Sequence, residues 1–111
     1  MLLNEPSACV KVAACICGKD GVISEAELKK MFEVLVKQFP KFGRAMFEAT
    51  LDEFFDSEDQ IEDLLLLIDD EKLRRFTLRL SELSAAADGL DTRENVALEK
   101  AYKAWSVERH A

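Results

Sequence analysis

"GKDGVISEAELKKMF", Gly18 to Phe32, spells out the beginning of a helix. Ser24-Glu25-Ala26-Glu27 has the form of a capping box. In such a box the Ser24 hydroxyl accepts a hydrogen bond from the N–H of Glu27, and the Glu27 carboxylate reaches back to the N–H of Ser24. Behind it, Leu28, Met31, Phe32, Leu35, Val36 and Phe39 recur at 3-1-3-1-3 spacing, the apolar stripe of an amphipathic helix. Pro40 ends the run. In front, Asp20-Gly21 is turn chemistry. The stretch therefore marks a boundary between two helices, and the same period carries through the rest of the chain.

Upstream, Asn4 is placed to cap a first helix with Pro6 in its opening turn, where a missing N–H costs nothing. From Ala8 to Cys17 only Lys11 is charged, so this helix is expected to be surrounded by others and to stop near Gly18. Downstream, a third helix is expected over 41–56, carrying Phe42, Ala45, Met46, Ala49, Phe54 and Phe55. Ser57 to Gln60 resembles another capping box, opening a short fourth helix whose Leu64 to Ile68 run should be enclosed. Asp69 or Asp70 caps a fifth, with Leu73, Phe76, Leu80, Leu83 and Ala87 on one face. Asp91-Thr92-Arg93-Glu94 begins a sixth, continuing through Ala97, Ala101 and Trp105. No segment alternates with period two over a useful length. The expected fold is all-α, a bundle of about six helices in a single domain spanning 1–111.

Composition narrows the function. The chain has 111 residues, 49% apolar and 33% charged, a balance that can bury a core without metal or disulfide staples. Its longest uninterrupted apolar run, Val12 to Cys17, is far short of the roughly 20 residues needed to cross a bilayer. No positively charged leader precedes a hydrophobic stretch, which argues against export. A net charge of −7 disfavours nucleic acid and anionic lipid as direct partners; a cation or a basic protein surface is the natural complement. Cys9, Cys15 and Cys17 are an odd set within nine positions, which fits reduced thiols in a cytosol. In a helix, residues two apart cannot share an ion, so these cysteines read as small apolar filler.

One internal echo stands out. "CICGKDGVISEAEL" (Cys15–Leu28) resembles "LSAAADGLDTRENVAL" (Leu83–Leu98). In each, a helix of small residues runs into Asp-Gly, an aliphatic residue follows, and a capping box with glutamate in its fourth place opens the next helix. Neither is a calcium loop of the EF-hand kind. With Gly21 at the sixth position of such a loop, Ile16 and Gly18 fall where oxygen ligands are required; with Gly89 there, Ala86 falls third and Asn95 twelfth. Calcium takes about six to eight oxygens, and neither loop offers half of that. Two readings stay open. The acids are helix caps and nothing more, or the two loops face each other so that Asp20, Glu27, Asp88, Asp91 and Glu94 converge at one end of the domain, where a divalent cation would offset their repulsion.

The ordered pair "KDGVISEAEL" and "AADGLDTRENVALEKA", flanking a helical middle, resembles the TerB-like family of tellurite-resistance proteins over about Ala8 to Trp105. The resemblance implies a compact all-helical domain built from two such repeats with an acidic surface. It implies a cytoplasmic role in bacterial stress response or phage defence. It also implies association with a divalent metal (calcium, manganese or zinc) through Asp20, Glu27, Asp88 and Glu94, and partner proteins at the inner face of the membrane. The second box is one residue shorter between Asp and Glu than the first, and Lys19 stands beside Asp20 where the second box has Ala87.

Catalysis finds little to work with. The single histidine, His110, is the penultimate residue, no cysteine has a histidine near it in sequence, and no phosphate-cradling glycine loop or dinucleotide fingerprint occurs. The expected class is a non-enzyme. Arg74, Arg75 and Arg79 form a basic patch read as a solvated helix face, with Arg75 paired to Glu71. Tyr102 and Trp105 read as a lid on the core rather than a binding platform, and Phe54 and Phe55 as core packing, the alternative being an exposed hydrophobic spot rimmed with acids. Two functions follow: a metal-binding module acting through protein partners, or a protein-interaction scaffold whose acidic loops are only caps.

Overall fold

The structure, a computed structural model, describes residues 5–18, 23–89 and 92–107, apart from the side chains of Glu5 and Asp88. Six α-helices follow in order: α1 Glu5–Cys17, α2 Glu25–Gln38, α3 Arg44–Asp56, α4 Ile61–Leu65, α5 Glu71–Ala85 and α6 Thr92–Ala104. A single 3-10 turn, Ala86–Asp88, extends α5, and no strand occurs among the described residues. The all-α expectation holds.

Helix α1 is the axis of the molecule. Ala8, Cys9, Val10 and every residue from Val12 to Cys17 are buried, and α1 touches all five other helices. Lys11, the exception in charge, reaches out to pair with Glu53 at 2.6 Å. Small side chains over most of α1 let its neighbours approach from every side. Gly18 closes the helix through its N–H to the Ala14 carbonyl at 2.8 Å. A Cβ there would stand 3.0 Å from that carbonyl and 3.2 Å from Ile23, so the chain leaves α1 by a route that a side chain would obstruct.

The most extensive packing is between α1 and α5. The inward face of α5 is only partly the aliphatic one expected: Leu80 is buried and Leu73 and Phe76 pack half-buried against the core, but Leu83 and Ala87 are exposed and Thr77, Ser81 and Ser84 are fully buried. Each buried hydroxyl donates to the carbonyl one turn earlier, at 2.6–2.8 Å. That local bond satisfies the hydroxyl, so a polar residue behaves as a small apolar one and hydropathy misplaces part of the face. Thr77 Oγ1 also lies 3.1 Å from Cys9 Sγ.

Further expectations are corrected. Helix α3 begins at Arg44, not Lys41, with Gly43 as its N-cap; after Pro40 the chain makes a turn closed by Phe42 N–H to the Phe39 carbonyl, 3.0 Å. Its buried face is Phe47, Thr50, Leu51 and the half-buried Phe54, while Ala45, Met46 and Ala49 are exposed. Phenylalanine and leucine remove far more apolar area from water than alanine does, and the helix turns accordingly. Ser57 caps the end of α3, bonding the Phe54 carbonyl, and the start of α4 is closed instead by Gln60 N–H to Asp63, 3.2 Å. The Leu64–Ile68 run is only partly enclosed: Ile61, Leu64, Leu65 and Ile68 face inward at helical spacing, while Leu66 is 79% exposed. Phe55, expected in the core, is 54% exposed.

Helix α6 seals the far side. Ala97, Leu98 and Ala101 are buried, and Trp105 lies beneath the chain with its Nε1–H donating to the Leu65 carbonyl at 3.1 Å. Arg74 covers the Trp105 ring at 5.5 Å from its centroid and donates to the Ile68 carbonyl at 2.7 Å. It is therefore a structural residue rather than a solvated one, whereas Arg75 pairs with Glu71 at 3.2 Å as expected.

Candidate metal centre

The capping box that opens α2 forms in full. Ser24 Oγ accepts from Glu27 N–H at 3.1 Å, and Glu27 Oε1 accepts from Ser24 N–H at 2.9 Å. Glu27 is nonetheless only 3% exposed, which a cap on a surface helix does not require. Its neighbours explain the burial. Glu94, third residue of α6 as Glu27 is of α2, is 5% exposed, and Cys17, the last residue of α1, is 1% exposed. One ligand atom from each of the three lies within 4.8 Å of the others.

The opening turns of α2 and α6, remote in sequence, thus meet through their glutamates. Of the five carboxylates expected to converge, Glu27 and Glu94 are brought together. Asp20 and Asp91 lie outside the described residues, and so does the side chain of Asp88, whose backbone ends the 3-10 turn before Gly89. Gly89 has φ +97° and ψ 120°, a backbone conformation open to glycine and rarely to other residues.

Cys17 is the member that sequence reading missed. The three cysteines are buried and none is in a disulfide, as filler would be, and Cys15 takes no part in the cluster. Cys17 differs in ending α1 immediately before the first Asp-Gly box. Its position in the chain was visible; the carboxylates facing it were not.

The electrostatics of the cluster are unequal. Each glutamate sits in the first turn of its helix, where the macrodipole favours a negative charge by about 0.3–1 kcal/mol. Two ionised carboxylates about 5 Å apart repel by roughly 3 kcal/mol at an effective dielectric of 20. The repulsion exceeds both dipole contributions together. A cation placed among the three groups reverses that balance, and carboxylate and thiolate are metal ligands. Comparison with protein-family models, curated proteins and solved structures returns no match for this chain.

Proposed function

We propose that this chain is a non-catalytic, acidic TerB-like module that binds a divalent cation between the opening turns of α2 and α6. In this reading it acts in the cytoplasm, in a bacterial stress response of the tellurite-resistance or phage-defence kind, through protein partners at the inner face of the membrane. The observation that carries the metal is the burial of Glu27 and Glu94 against each other and Cys17. The net charge of −7 and the acidic character of the two boxes support a cationic or basic counterpart. Among the described residues no helix is long and apolar enough to cross a membrane.

A second reading has its own support. The reciprocal Ser24–Glu27 bonds account for one glutamate as a cap without any ion, as expected of a protein-interaction scaffold. Thermal unfolding in the presence of calcium, manganese or zinc separates the two. A cation at about a hundred times its dissociation constant adds roughly 2.7 kcal/mol to stability, and both Glu27→Gln and Glu94→Gln should lose that gain. If none of the three ions raises the wild-type midpoint, the scaffold reading stands.

A further inference from the structure

Resting on the metal reading above, we infer that Cys17 is itself a ligand, so that the centre is built for a thiophilic ion of the zinc class and not for calcium or magnesium. Calcium takes about six to eight oxygens and magnesium about six. The cluster offers one sulfur and two carboxylates from the ends of three helices, all at least nine-tenths buried. A small, largely dry site with few donors suits an ion content with four ligands. Zinc takes thiolate at about 2.3 Å and carboxylate at about 2.1 Å in a tetrahedron. Those bond lengths place neighbouring ligand atoms about 3.4–3.6 Å apart. Atoms now within 4.8 Å therefore need to close by roughly an ångström, within reach of side-chain rotation. The fourth position is left to water.

Binding is a proton-for-metal exchange. The Cys17 S–H bond breaks heterolytically, its electron pair becomes the sulfur–metal bond, the proton leaves to solvent, and no atom changes oxidation state. Affinity should accordingly rise with pH. The ion would tie the C-terminal end of α1 to the opening turns of α2 and α6, three elements far apart in sequence.

The test uses the whole chain with cobalt(II) as a spectroscopic probe and zinc and calcium as competitors. Wild type should show a near-ultraviolet thiolate-to-cobalt charge-transfer band, which zinc abolishes and calcium does not. Cys17→Ala and Cys17→Ser should both lack the band and bind zinc more than about tenfold more weakly, a loss of about 1.4 kcal/mol. Cys9→Ala and Cys15→Ala should retain it. If Cys17→Ala leaves zinc affinity unchanged while Glu27→Gln removes it, the carboxylate site survives and the thiol ligand is wrong. If wild type binds none of cobalt, zinc and calcium, this inference falls, and the metal reading falls with it when manganese also fails to bind. Circular dichroism of each variant shows that a lost band is not a lost fold.

Discussion

Glu27 is a cap and, in the proposed reading, also a ligand, and substitution can separate the two roles. As a cap it needs an acceptor atom, which glutamine also provides through its amide oxygen; as a ligand it needs a charge. In the absence of metal, Glu27→Gln should keep its urea midpoint or raise it, because the repulsion from Glu94 is gone while the bond from Ser24 N–H remains. Ser24→Ala, which removes the acceptor for Glu27 N–H, should cost about 1 kcal/mol. Equal losses in Glu27→Gln and Ser24→Ala would mean that the negative charge itself holds the fold. Both glutamates were legible as the fourth residue of a box. Cys17 was not, because a thiol has no identity as ligand or filler until its neighbours in space are known.

At the scale of an element, helical period alone does not say which side faces in. Helix α4 shows this over a few residues. Leu64 is buried and Leu66 is 79% exposed, although both belong to one leucine run. Leu64→Ala should cost about 2–5 kcal/mol by loss of buried surface and creation of a cavity; Leu66→Ala should change stability by less than about 0.5 kcal/mol. Comparable losses from the two would contradict the placement of the helix. The end of α6 offers the opposite case, a gain. Ser106 has φ +54°, with Val107 N–H bonded to the Tyr102 carbonyl at 2.9 Å and Ser106 N–H to the Lys103 carbonyl at 3.1 Å. This is a Schellman ending, in which glycine avoids the Cβ clash. Ser106→Gly should therefore raise the unfolding free energy by about 1 kcal/mol, measured by denaturant titration; a loss of stability would show that the serine side chain matters more than the strain.

For the molecule as a whole, the balance of charge outweighs the individual pairs. Ion pairs among the described residues have mainly exposed acidic partners, and exposed pairs contribute about 0–1 kcal/mol each. A net charge of −7 repels itself throughout. Raising sodium chloride from low ionic strength to about 0.15 M, where the screening length is about 8 Å, should raise the thermal midpoint of the metal-free protein. The single tryptophan gives a convenient readout, since Trp105 is tied to Leu65 and Arg74. Its fluorescence transition should coincide with the loss of helix by circular dichroism, as in a two-state domain. A midpoint that falls with salt would show that the pairs, and not the excess charge, govern stability.

The residues alone determined that this chain is helical, where α2 starts and stops, and that α1 is enclosed. Those features are written in local chemistry: a hydroxyl three residues before a glutamate, a proline, an apolar period, a run without charge. The inward faces of α3 and α5, the exposure of Leu66 and Phe55, and the meeting of Cys17 with Glu27 and Glu94 were decided by tertiary packing. Burial is a competition among all the surfaces available at once, and groups from three helices become neighbours only when that competition has been settled.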